Sequence, residues 1–222
     1  MNASVGLRIV SLAFVLLLGS CAKPVTGPAL TAAAESDLRA GRNQAALAEI
    51  QQRLTENPRD ARAAYLRGVA FARLGRHDRA AASFAAFRRA GGRSARLDLD
   101  EGTALLNAGN AATALPMLEA YRRANPTNPD ASLLVGRAQL SAAAAQRPRP
   151  DPVAIARAET TLQSALAQPA TRHPAQLLLA VAAAGRHDRA AAQRALDILL
   201  AEAPGSPQVA LVEAAARSRR KG

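Results

Sequence analysis

Small residues recur along this chain at one fixed interval. Gly41, Gly75 and Gly109 are 34 residues apart, as are Gly68, Gly102 and Gly136, and Ala46, Ala80 and Ala114 keep the same spacing. Pro58 and Pro126 stand two intervals apart, with Gly92 midway between them. A repeat of this length holds one helix hairpin, which cannot cover its own apolar face, so successive copies must stack on one another. Segments 61–74 and 78–90 have helical composition. Gly75 between them predicts a left-handed end to the first helix, and Asp78 predicts a cap for the second. Gly68 and Ala80 are expected where the two helices come closest, with Phe71, Phe84 and Phe87 filling the space on either side.

Composition removes the alternatives. Ala supplies 57 of the 222 residues, whereas Val and Ile together supply 14 and the aromatics 6. Strands lack the β-branched and aromatic residues they need, and Ala is the strongest helix former. With side chains this small, area is buried by bringing helix backbones close together.

From Gly68 the chain carries Phe71, Gly75, Ala80 and Phe84, and from Gly102 it carries Leu105, Gly109, Ala114, Leu118 and Pro126. In these residues the sequence resembles the tetratricopeptide repeat family. The resemblance implies an all-α fold, a right-handed superhelical solenoid of about five hairpins over residues 31–205. Its units fall at about 27–60, 61–94, 95–128, 129–170 and 171–205. The fourth carries ten extra residues, because Ala158 stands where the phase predicts position 148. Pro148, Pro150 and Pro152 assign the excess to a loop over 141–152. In the fifth, residues 185–192 copy residues 75–82 letter for letter and predict the same turn, although Arg194 occupies an apolar place and leaves burial to Leu196, Leu199 and Leu200. Segment 206–222 reads as an amphipathic capping helix, Gln208 to Arg217, and a basic tail.

The first twenty residues bear on compartment. Arg8 precedes the run Ile9 to Leu18, too short for the roughly 20 residues that span a bilayer and suited to a signal-peptide core. Leu18, Gly19, Ser20 and the single cysteine Cys21 follow, and they resemble the lipobox of bacterial lipoproteins. That resemblance implies removal of residues 1–20, acylation of Cys21, and a tether over 21–30 that holds the body near the membrane. Ala22 in place of an inner-membrane retention Asp implies the outer membrane, facing the periplasm.

In the tetratricopeptide family the second, fifth, ninth, twelfth and thirteenth residues of a unit face a concave groove. Carried over, these are Arg62, Tyr65, Val69, Ala72 and Arg73; then Arg96, Leu99, Thr103, Leu106 and Asn107; then Asp130, Leu133, Arg137, Leu140 and Ser141. Guanidinium forks suit carboxylates and leucine pockets suit apolar anchors, so the expected partner is a protein or peptide segment of acidic character. No catalytic or metal-binding motif is present, His77, His173 and His187 are dispersed along the repeats, and neither enzymatic activity nor a cofactor is expected. The chain resembles pilotins and tight-adherence pilus assembly lipoproteins; adaptors of peptidoglycan hydrolases and outer-membrane assembly subunits share the construction. The net charge of +12 raises a different class, a soluble basic nucleic-acid-binding protein whose retention on DNA falls steeply with salt. Against it, 26 of the 27 Arg residues are dispersed over every segment from Arg39 to Arg220. The sequence leaves homo-oligomerisation open.

Overall fold

The computed structural model describes residues 28–145, 151–186 and 188–202. Residues 1–20, read as a signal peptide, Cys21, residues 22–27, His187 and the segment 206–222, read as a cap, lie outside the described residues. Among the described residues the fold is entirely helical, with five antiparallel hairpins stacked in chain order. They pair α1 (Pro28–Arg39) with α2 (Asn43–Glu56), α3 (Ala61–Arg73) with α4 (His77–Arg89), and α5 (Leu97–Asn107) with α6 (Ala111–Ala124). The fourth pairs α7 (Pro129–Ala145) with α8 (Pro152–Ser164), and the fifth α9 (Pro169–Gly185) with α10 (Arg189–Glu202). Helix α1 begins inside the segment read as tether, and Leu30 is buried.

Each of the first three hairpins turns the same way. Gly75 has φ +70°, and the N–H of Arg76 reaches back to the Phe71 carbonyl at 2.9 Å, so the last carbonyls of α3 are satisfied as the chain reverses. Gly41 and Gly109 repeat the device.

Glycine also sets how close two helices come. A Cβ on Gly68 would lie 2.6 Å from the Phe84 ring, one on Gly102 2.8 Å from Leu118, and one on Gly136 2.5 Å from Leu162. Phe84, Leu118 and Leu162 are each buried against the opposing backbone, and Ala80, Ala114 and Ala158 are fully buried. In the fourth hairpin the glycine and its partner are ten residues further apart than in the second and third, so the insertion leaves the crossing unchanged. The loop, however, is shorter than 141–152, because α7 continues to Ala145 with Ala143 buried, and Asp151 already caps α8 by accepting from the Val153 N–H at 2.9 Å.

The two copies of the repeated octapeptide differ in structure. In the first, α4 starts at His77; in the second, α10 starts at Arg189, two residues later in register. The helix-ending bond moves with it, from Arg76 N–H to Asp188 N–H, which donates to Ala183 at 2.9 Å. Gly185 lies beside Ile155 of α8, where a side chain's first carbon would touch at 3.4 Å, and α9 runs on past the point where α3 stops. Asp78 does not cap α4, whereas its copy Asp188 accepts from the Ala191 N–H at 2.9 Å. Arg194 is exposed and Leu199 is buried.

Side-chain-to-backbone bonds recur just ahead of the first helices, as a cap on α3 and as a bond to the residue that precedes α5. Asp60, Ser94 and Asn128 stand 34 apart, and their side-chain oxygens accept from Ala63, Arg96 and Asp130 N–H respectively, at 3.0, 3.2 and 3.0 Å. Asp60 also receives Arg53 Nε at 2.6 Å. Burial would raise the Asp60 carboxyl, but the Ala63 N–H and the Arg53 guanidinium outweigh it and hold it below its usual value. Stability from such a group is complete above the unfolded-state value and is lost as pH falls through the depressed one. Asp60→Ala is therefore expected to cost about 1 kcal/mol near neutral pH and progressively less toward about pH 2, read from urea unfolding at both.

Candidate functional site

Helices α3, α5 and α7, the first of each central hairpin, present one face to a shared groove of about 500 Å³. Val69, Ala72 and Arg73 line it from α3, and His77 and Phe84 from α4. Across the middle run Arg96, Leu99, Asp100, Thr103, Ala104 and Asn107, and Asp130, Leu133 and Leu134 come from α7. The floor is apolar, with Leu99 and Ala104 buried and Val69, Leu133 and Leu134 half-buried. Charge sits at the rim.

Nine of the fifteen positions that the family register assigns to the groove meet there: Val69, Ala72, Arg73, Arg96, Leu99, Thr103, Asn107, Asp130 and Leu133. The other six do not line it. Leu106 is buried in the core with Leu118, Tyr121 and Val135, so it supports the groove from behind and presents nothing to a ligand. Arg62 stands outside, paired with Glu35 of α1 at 2.7 Å. Tyr65 packs its ring against Phe84 and Phe87, with centroids 5.5 and 5.2 Å away, and donates its hydroxyl to Asp100 at 2.6 Å. Burial first, then Asp100, push that hydroxyl up to about 12, so it remains a proton donor. Arg137 donates to Asn107 Oδ1, and burial pulls its guanidinium below its usual value. Of the further family positions, Leu140 is buried and Ser141 is exposed at the far end of α7.

These side chains bind one hairpin to the next. Arg62 joins α3 to α1, Arg73 donates to the Leu38 carbonyl on α1, Tyr65 joins α3 to α5, and Arg137 joins α7 to α5. The family register thus brings most of its positions to one groove but mixes groove-lining residues with these cross-links. Asp100 and Leu134 are groove residues that the register omits. They share a helix face with residues it includes, since Arg96, Asp100, Thr103 and Asn107 follow steps of four, three and four, and Leu134 is one turn beyond Asp130. A second depression of about 400 Å³ lies at the α4–α5 connection, where Arg88 is committed to Asp98 at 2.7 Å and to the buried Glu101 at 2.8 Å. Among the described residues no group of three His, Cys, Asp or Glu side chains is placed to hold a metal ion.

Stacked hairpins with a small residue at each crossing can arise in several helical-repeat families, and comparison with known proteins decides between them. The family described as Tetratricopeptide repeat matches residues 31–95 and 99–148, just over half of the chain. The chain belongs to the tetratricopeptide repeat family. Apart from residues 28–30 and 97–98, hairpins one to three and helix α7 fall within the matched segments, and α8 and the fifth hairpin, whose register shifts, fall outside them. Among solved structures this tetratricopeptide solenoid is similar to YrrB, reported as a TPR protein with an unusual peptide-binding site, at 19% identity and TM-score 0.67, covering 84% of this chain and 91% of that one. It is similar to MamA from Desulfovibrio magneticus RS-1, at 20% identity and TM-score 0.66, over 80% and 95% of the two chains. PilF of Pseudomonas aeruginosa matches at 18% identity and TM-score 0.60, over 86% and 83%. At these identities the likeness is one of fold. No curated protein sequence matches the chain. A tetratricopeptide fold supports binding of protein or peptide partners.

Proposed function

We propose that this protein is a non-catalytic adaptor, held at the periplasmic face of the outer membrane by lipid on Cys21, whose central groove captures a segment of a partner during pilus or secretion-system assembly. The observation that carries the reading is the groove itself: an apolar floor of Leu99, Leu133 and Leu134 rimmed by exposed guanidinium groups of Arg73 and Arg96. Such a surface gains from an apolar anchor and fixes it through polar contacts at the edge. The peptide-binding site reported for YrrB is compatible with the reading, as is the fold likeness to PilF. The membrane and pilus parts rest on the lipobox residues Leu18 to Cys21 and on the resemblance to pilus assembly lipoproteins.

Charge reversal tests the groove. Arg73→Glu with Arg96→Glu replaces two rim cations by anions beside Asp100 and Asp130, and partner capture from periplasmic extract is expected to be lost while helicity by circular dichroism is unchanged. The i,i+4 pair Arg96–Asp100, 3.8 Å apart, becomes a like-charge pair, a cost of only about 0.2–0.5 kcal/mol. Arg219→Glu with Arg220→Glu in the tail is the matched control and leaves capture intact. Capture lost from the tail variant alone would refute the groove.

A further inference from the structure

The groove is not uniformly basic. Its cavity runs diagonally across α5, from the last turn of α3 to the first turn of α7, and each corner carries an exposed charge of opposite sign. Arg73 occupies the α3 corner. It donates to the Leu38 carbonyl and meets no carboxylate within ion-pair distance among the described residues. Asp130 occupies the α7 corner and has no cation partner among them. Between the corners, on α5, Arg96 and Asp100 pair with each other at 3.8 Å, and Asp100 is held in place because the Tyr65 hydroxyl, wedged beside two phenylalanine rings, donates to it. The rest of the surface between the corners is apolar, formed by Leu99 and Leu133. Arg96 and Asp100 offset each other locally, whereas the charges of Arg73 and Asp130 stand apart.

Resting on the adaptor reading above, we propose that the captured segment is amphoteric and bound in one direction. It places a carboxylate at Arg73, apolar side chains over Leu99 and Leu133, and a basic side chain at Asp130. Complementary charges at two separated points fix the register and polarity of a chain, whereas an all-acidic segment gains at Arg73 and is repelled at the opposite corner. The corners belong to helices two packing steps apart, roughly 20 Å, which about six extended residues span. A segment with its acid and base about six residues apart and an apolar centre therefore satisfies both corners, and a compact charge cluster does not.

The test is selection from a displayed library of random twelve-residue peptides on the full-length protein, run in parallel on the double variant Arg73→Glu with Asp130→Arg. Both side chains are exposed and the swap keeps the net charge; because it also removes the Arg73 bond to the Leu38 carbonyl, equal helicity and thermal midpoint are established first. Wild type is expected to enrich peptides with one acid and one base flanking apolar residues in a single order, and the swapped variant to enrich the reverse order. A representative peptide should bind its own protein at least about tenfold more tightly than the swapped one. Enrichment of acid-only peptides by wild type, or the same order on both proteins, would overturn the two-cornered groove while leaving a peptide-binding groove in place. No enrichment on either protein would overturn both.

Discussion

Gly68→Val lowers the thermal midpoint by about 5–10 °C, the consequence of a loss of about 2–3 kcal/mol in a chain of this size. The first carbon of any side chain at this position would stand 2.6 Å from the ring of Phe84, which is 2% exposed and has no free space to turn into. Either the ring leaves its place or α3 and α4 move apart, and in a stacked solenoid a changed hairpin misfits its neighbours. Phe84→Ala attacks the same contact from the other side by opening a cavity, at a cost of about 3–5 kcal/mol. The first hairpin shows how the clash can be relieved. At the positions in phase with Gly68 and Phe84 it carries Ala34 and Ile50, both fully buried in one cluster. Gly68→Ala alone is therefore destabilising, and adding Phe84→Ile restores part of the loss, a coupling that a double-mutant cycle by urea unfolding reads directly. Ala145→Leu, at the exposed end of α7, changes stability by no more than about 0.5 kcal/mol. Equal losses at residues 68 and 145 would contradict the close crossing.

Glycine and alanine made the hairpin phase legible, since Gly68, Gly102 and Gly136 mark close crossings that exclude a larger residue, and Gly41, Gly75 and Gly109 mark left-handed turns. Ala158 even located the ten-residue insertion, because a crossing tolerates no slippage while a loop tolerates any length. Polar devices were less legible. Asp60, Ser94 and Asn128 keep the same period as the glycines, yet three different residue types accept a backbone N–H at the helix entry, and identity alone does not align them. The octapeptide 185–192 failed in the opposite way. Eight identical letters predicted one turn, and packing of α9 on α8 displaced the helix boundaries by two residues, so tertiary contact overrode local sequence. In the groove, family register did not resolve depth. Leu99 and Leu106 lie on the same helix, in the same buried cluster and with similar exposure, yet only Leu99 reaches the groove.

Cys21→Ala is expected to transfer the protein from the membrane fraction to the soluble fraction completely. Acylation at this thiol would supply more than one hydrocarbon chain, each buried CH₂ contributing about 0.8 kcal/mol, and multiple chains hold a protein where one is marginal. Alanine removes the nucleophile and every chain with it. The described body begins at Pro28 and its first buried side chain is Leu30, so nothing in the solenoid core depends on residue 21, and thermal unfolding of the variant should match wild type. The net charge of +12 complicates the readout, because Lys and Arg near an anionic lipid surface attract it by about 1 kcal/mol each at low salt. That attraction is screened within about 10 Å at 0.1 M salt and less at higher concentration, whereas acyl insertion is indifferent to it. Fractionation is therefore done with a high-salt wash. Wild type should stay with the membrane through the wash, and the variant should be released by it or never bind. A variant that remains with the membrane after the wash would end the lipoprotein reading and leave the groove, which rests on other residues, to be judged by the charge-reversal variants alone.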